Sequence, residues 1–371
     1  MGQFGTRIMG GKDSASARYI FTQLNPVTRT LYHEADDAVL TYLEEEGQSI
    51  EPNYYLPIIP TCLVNGAEGI GTGWSTFIPQ HDPRQIVRNI RNIMQGRELE
   101  EMHPWYKGFT GKIEPIERSM GNATKYLVTG RYEIEDEDQL RILELPIGKW
   151  TRDYKTKLEK MMEDAEKKGQ VFIEEIREYH EENRINFLLY VPNLQQYERE
   201  PGGIIQKFML STTFTATNLV LFGHDGKISR RVSTKDILHS WFELRANLYE
   251  LRKAYLIARL EKEHETLRNK VRFIKAVIEG DISINRVKRK IIAATLWNQK
   301  YATMSQLNEI QRDEKKVTVV NNEEQEGSEV PAAEREEEGL APGEVKPSEY
   351  DYLLTMPLWS LSEEKVEELI E

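Results

Sequence analysis

The residues best suited to chemistry are Arg18 and Tyr19. They close the segment Gly10–Tyr19, in which Gly10 and Gly11 let the backbone approach a ligand closely. Lys12, Arg18 and the hydroxyls of Ser14 and Ser16 converge there on the tyrosine. A phenol, with a pKa of about 10, is a poor nucleophile unless its anion is stabilised. A neighbouring guanidinium supplies that stabilisation, and it also binds the oxygens of a phosphate under attack. The same letters equally describe a tyrosine packed at a helix start beside a surface arginine.

Other stretches carry weaker signals. The run Gly66–Trp74, GAEGIGTGW, is rich in glycine. No Lys-Ser or Lys-Thr follows it, so as a phosphate cradle it is poor and as a turn it is ordinary. Leu210–Asn218, LSTTFTATN, reads as an exposed β-strand. Trp105 and Tyr106, beside Lys107, could stack on bases but read better as core. His180 lacks a second His or Cys at ligand spacing and reads as structural. Asp36, Asp37 and Glu44–Glu46 read as solvated helix charges rather than a metal site.

The chain has 371 residues, enough for roughly two to four domains. Its net charge of −12 argues against a nucleic-acid partner only until it is mapped. Residues 321–349 carry ten acidic and two basic side chains, a net of −8. Residues 1–31 carry a net of +3, and residues 227–312, with nineteen basic and nine acidic side chains, a net of +10. An acidic tract thus masks two basic regions. Cys62 is the only cysteine, which excludes an intrachain disulfide framework and a cysteine-cluster zinc site. No run of 18 apolar residues predicts a membrane span.

Several elements are legible. Residues 1–31 read as a loop and a short helix. Asp82-Pro83 opens a helix with Ile86, Val87, Ile90, Ile93 and Met94 on its buried face, closed by Gly96. Residues 105–235 alternate strand-like runs with turns around a helix near 151–168. Ile237, Trp241, Leu244, Leu248, Leu251, Tyr255 and Ala258 form a heptad seam. A second register, Leu260, His264, Leu267, Val271, Ile274 and Ile278, follows and stops at Gly280. A basic helix near 284–296, the acidic tract, which is expected to be disordered, and a returning apolar segment with a helix start at Ser362 complete the chain.

Taken in order, GQFGTR, GGKDSASARYIFT, EPNYYLPIIPTCLVNGAEGIGTGWST, PWYKGFTG, REYH, TNLVLF and YDYLLTMPLWSL carry a resemblance. The chain resembles the DNA breakage–reunion region of eukaryotic type IIA DNA topoisomerases over nearly its whole length, the acidic tract excepted. The resemblance implies a multidomain α+β fold. Its expected parts are the later part of a winged-helix domain (1–100), an α+β tower (101–235), a coiled coil with gate helices (236–312), the acidic insert (313–349) and a returning gate segment (350–371). It further implies Tyr19 as the nucleophile that takes a DNA 5′-phosphate, Arg18 as transition-state stabiliser and Ile70 as a wedge that bends the duplex. Arg7, Lys12, Ser14, Ser16, Lys207, Thr212, Thr213, Thr217 and Asn218 become expected DNA contacts.

By the same resemblance the partners are double-stranded DNA and a second copy of the chain, joined through the C-terminal gate, with no membrane and a nuclear location. Mg2+ and ATP are the implied cofactors, each held by regions expected to lie outside this chain, which reads as a fragment. The isolated chain is therefore expected not to cleave DNA. Three alternatives compete: a non-catalytic dimeric DNA-binding scaffold, a breakage subunit of the bacterial gyrase type, and a nucleotide-binding enzyme built on the GAEGIGTG run.

Overall fold

The structure, a computed structural model, describes residues 4–116, 125–181, 183–231, 233–310 and 345–357. Most of the acidic tract, residues 321–344, and the expected helix start at Ser362 lie outside the described residues. The chain forms two compact units: residues 1–32 with 56–243, and residues 33–55 with 244–371.

Alternation builds the core of the first unit. The strand Gln139–Glu144 buries every second residue, which turns Leu140, Ile142 and Glu144 inward. It lies in an antiparallel sheet of four strands, ordered Arg131–Asp136, Gln139–Glu144, Phe187–Tyr190, Glu175–Glu178. The helix Thr151–Glu166 covers it with Thr151, Tyr154 and Leu158, spaced to share one helical face. Each fully buried leucine here is worth about 1.5–3 kcal/mol. Tyr154 donates to the Phe208 carbonyl at 2.8 Å.

A second sheet pairs Ser211–Thr215, Lys125–Thr129 and Lys112–Ile116. Two hairpins, Ala67–Ile70 with Ser75–Ile78 and Leu219–Phe222 with Ile228–Arg231, complete the strands of this unit. Around them a second core gathers Leu63, Ile78, Ile86, Leu219, Leu238 and Trp241. The helix Pro83–Met94 begins as expected, with the Asp82 carboxylate accepting from the Arg84 amide. Its buried face differs from the expected one. Met94 is exposed, and Asn89 is buried instead, exchanging two hydrogen bonds with the backbone of Glu100.

The long helix Thr234–Ile278 has 45 residues, of which 234–243 belong to the first unit and the rest to the second. The second expected register is buried only in its middle, where Ile274 is buried and Leu267 and Val271 are half-buried. Leu260, His264 and Ile278 are exposed, while Asn269 and Phe273 are buried. In the second unit Asp36 is also a correction. It is not a solvated helix charge but a buried carboxylate, 2.8 Å from Arg245 Nη1 and 3.5 Å from Arg252 Nη1. Glu44–Glu46 belong to an exposed hairpin, Tyr42–Glu45 with Gln48–Pro52, rather than to a helix. The basic helix begins later than expected, at Arg289–Asn298. Its Ile292, Ala293 and Leu296 pack with Phe273, Tyr301, Tyr350 and Leu353, so residues 345–357 return onto it. No helix among the described residues is long and apolar enough to cross a membrane.

Burial has two measurable consequences. The Arg245 side chain is 2% exposed, so neutralising Asp36 takes the charge of an ion-pair partner away from a buried guanidinium and from Arg252. Asp36→Asn is expected to destabilise the second unit by about 3–5 kcal/mol, read as an earlier urea midpoint. Burial also holds the His81 imidazole at about 4, below its ordinary 6.5. Between those values the unfolded chain binds a proton that the folded chain refuses. Stability is therefore full above pH 6.5 and falls, by about 3 kcal/mol, on the way down to pH 4. His81→Leu should flatten that stretch of the pH–stability curve, followed by denaturant melts.

Candidate DNA cleavage site

The segment ahead of Tyr19 has almost no regular structure of its own, so its shape comes from staples. Thr6 donates from its amide (2.9 Å) and hydroxyl (2.6 Å) to the Asp13 carboxylate, closing a loop. These two bonds hold the Asp13 carboxyl below the usual carboxylate range. The Gly11 amide donates to the Thr6 carbonyl and the Ser14 amide to the Gly11 carbonyl. Gly10 sits at φ +63° against the Trp150 indole, where a Cβ would lie 2.4 Å from the ring, so only glycine fits. The Arg152 amide donates to the Ile8 carbonyl at 3.0 Å. Lys12 Nζ is 3.2 Å from Asp153 in an exposed, screened pair.

The loop ends in a single 3₁₀ turn, Ala17–Tyr19, with no buried residue. Tyr19 is 69% exposed. The Arg18 guanidinium lies 5.7 Å from the Tyr19 ring centroid. Among the described residues Arg18 has no carboxylate partner. A phenol open to solvent with an uncommitted guanidinium beside it can meet a phosphate without first breaking an internal ion pair.

Ile70 stands at the tip of the hairpin Ala67–Ile70/Ser75–Ile78 and is 92% exposed. The turn is closed by the Gly71 amide donating to the Trp74 carbonyl at 2.8 Å. A strand–turn–strand is not the strand–loop–helix that cradles phosphate, so the nucleotide-binding reading of GAEGIGTG has no support here. Ile70, Trp74, Phe222 and Ile228 border a cavity of about 290 Å³ beneath the tip.

The threonine run is indeed a strand, Ser211–Thr215, with Thr213 exposed and Thr212 partly buried. Thr217 follows it. Asn218 braces the hairpin of Ile70: its side chain donates to Ser75 Oγ at 2.7 Å, and its carbonyl accepts from the Phe77 amide at 2.8 Å. Lys207 is engaged internally, 3.5 Å from Glu200 and over the Tyr197 ring at 4.6 Å. Ser14 and Ser16 are exposed on the loop. Arg7 is ion-paired with Glu144. Trp105, expected in the core, is substantially exposed, whereas burial raises the Tyr106 phenol to about 12. His180 is structural: its Nδ1 accepts from the Asn186 amide, and its ring packs edge-on to Phe187.

Glu144 and Trp150 were not singled out from the sequence. Glu144 had a signal, since it continues the inward face of Leu140 and Ile142. Trp150 had none short of knowing that Gly10 lies against it. Among the described residues no group of three or more His, Cys, Asp or Glu is arranged to hold a metal ion.

A family model described as the A subunit of DNA gyrase/topoisomerase IV matches residues 1–371. The DNA topoisomerase 2 of Arabidopsis thaliana is 44% identical over 369 residues, covering 100% of this chain and 24% of that protein. The DNA topoisomerase 2 of Plasmodium falciparum is 42% identical over 370 residues, covering 100% of this chain and 25% of that protein. The crystal structure of the Plasmodium falciparum topoisomerase II DNA-binding, cleavage and re-ligation domain matches with a TM-score of 0.79 at 39% identity, covering 100% of this chain and 47% of that one. The chain thus spans about a quarter of the length of these curated relatives. On a match that runs from its first residue to its last, the chain belongs to the family of DNA gyrase/topoisomerase IV A subunits.

Proposed function

We propose that this chain is the DNA breakage and rejoining region of a eukaryotic-type type II topoisomerase, with Tyr19 as its nucleophile. The observation that carries this reading is the exposed Tyr19 phenol beside the Arg18 guanidinium, which has no carboxylate partner among the described residues, at the end of a loop held by Arg152 and Trp150. Its phenolic oxygen bonds to the phosphorus as the bond from phosphorus to the 3′-oxygen breaks. The phenolic proton leaves to solvent and the 3′-oxygen takes one up. One phosphate ester replaces another, so attack by the 3′-hydroxyl reverses the step and reseals the strand. Arg18 stabilises the charge that builds on the phosphate oxygens.

The other assignments belong to the same proposal. Lys12, Ser14 and Ser16 position the DNA backbone without reading sequence. Thr212, Thr213, Thr217, Asn218 and Lys207 belong to the surface for flanking DNA. Ile70 enters a base step, unstacks it and bends the duplex. The exposed apolar Ile291 and Trp297 of the helix Arg289–Asn298 support a gate that joins two copies, so that each strand is cut by one Tyr19. The winged-helix, tower and coiled-coil regions go with this assembly, as do strand passage, ATP and Mg2+ in the whole enzyme. A nuclear location follows from the eukaryotic relatives.

In the intact enzyme, Tyr19→Phe should abolish covalent DNA adducts while DNA affinity stays within about twofold, since a phenyl ring keeps the shape and removes only the oxygen. Adducts mapped to another side chain would end the proposal. Arg18→Ala should slow adduct formation by about 10²–10³, the size of losing one preorganised stabiliser. Ile70→Ala should reduce the DNA bend, measured by end-to-end energy transfer on a labelled duplex, because the wedge that offsets a few kcal/mol of unstacking is gone.

A further inference from the structure

We propose that Arg7 and Glu144 are a positioning pair that fixes the loop carrying Tyr19, and that Arg7 makes no phosphate contact. The inference rests on the reading of Tyr19 as nucleophile and adds to it the device that places it. Glu144 ends the strand Gln139–Glu144 and is 3% exposed. Its acceptor capacity is fully used. One carboxylate oxygen accepts from Arg7 Nη2 and from the Leu145 amide at 3.1 Å. The other accepts from the Thr110 amide and hydroxyl, both at 3.3 Å. The second arm of the Arg7 guanidinium donates to the Asn183 carbonyl at 3.4 Å.

An ion pair with one partner this buried is weakly screened and costly to break from one side. Arg7 could turn to DNA only by leaving the Glu144 carboxylate buried without its cation. Lys12 is different: its pair with Asp153 is exposed on both sides and exchanges readily for a phosphate. The pair also acts on the right stretch of the chain. Arg7 is adjacent to Ile8, whose carbonyl is held by Arg152, and lies three residues before Gly10, which is held against Trp150. It opens the same short loop that Thr6 and Asp13 close. Of the basic residues ahead of Tyr19, the loop thus spends one on the fold and leaves Lys12 and Arg18 for DNA.

Three measurements on Arg7→Gln, Glu144→Gln and Lys12→Gln test this. Without DNA, amide exchange at Gly11 and Ser14 should quicken tenfold or more in Arg7→Gln and in Glu144→Gln, and the double variant should be no faster than the faster single one. Duplex binding should keep its salt slope in Arg7→Gln and lose about one unit in Lys12→Gln, the signature of one phosphate contact. In the intact enzyme at saturating DNA, adduct formation should slow at least tenfold in Arg7→Gln and Glu144→Gln. A slope lowered by about one in Arg7→Gln, unchanged exchange, or an unchanged adduct rate would each overturn the assignment. If the unsubstituted protein bound no DNA or formed no adduct, the functional reading would fail instead, and the exchange arm would still decide the anchor. Glu144→Gln changes charge and not size, so it keeps the test open if Arg7→Gln is poorly folded.

Discussion

A nucleophile that must reach a phosphate inside a duplex cannot be buried, and on the proposed reading of Tyr19 that constraint governs the rest of the site. Exposure removes the packing that usually fixes a side chain. Precision has to come from behind, through the residues that precede the reactive one. Here the stretch from Gly5 to Ser16 is held by a carboxylate staple, a backbone bond to Arg152, a glycine pressed on an indole and the Glu144 ion pair. The carboxylate staple is internal to the loop, while the other anchors come from the strand Gln139–Glu144 and the start of the helix Thr151–Glu166, which share one core. The staples are chemically varied, so no single solvent condition loosens all of them.

The hairpin of Ile70 solves a related problem with different means. A side chain 92% exposed stabilises nothing in the unbound protein. As the proposed wedge it depends on the stiffness of what carries it, because a wedge on a soft loop would fold back rather than separate stacked bases. Asn218 ties one strand of the hairpin by its side chain and its carbonyl. Phe77 stacks edge-on with Phe214 at 5.5 Å, and Phe214 stacks with Tyr126 at 5.5 Å, which links the hairpin to the three-stranded sheet. The threonine-rich strand is therefore a brace for the hairpin.

Legibility in the sequence followed the range of the interactions. Asp82-Pro83 announced a helix because a cap is a contact over two residues. The strand around Leu140 and the helix after Trp150 were readable because alternation and helical spacing are local. Asp36 was misread because its partner is Arg245, 209 positions away, and an Asp-Asp pair looks like solvated charge until that partner arrives. Leu260 and His264 were misread for the opposite reason. They repeat at heptad spacing, but spacing does not say whether anything covers them.

Arg7 shows the limit most directly. A basic residue in a Gly-rich loop near a tyrosine reads as a phosphate ligand, and composition alone supports that. What decides between a ligand and an anchor is the desolvation of its partner. An arginine facing an exposed carboxylate gives up little by turning to DNA. An arginine facing a carboxylate 3% exposed, whose other lone pairs are already taken by Thr110 and Leu145, leaves behind a charge that water cannot reach. The burial of Glu144, a residue 137 positions along the chain, therefore sets what Arg7 is able to do.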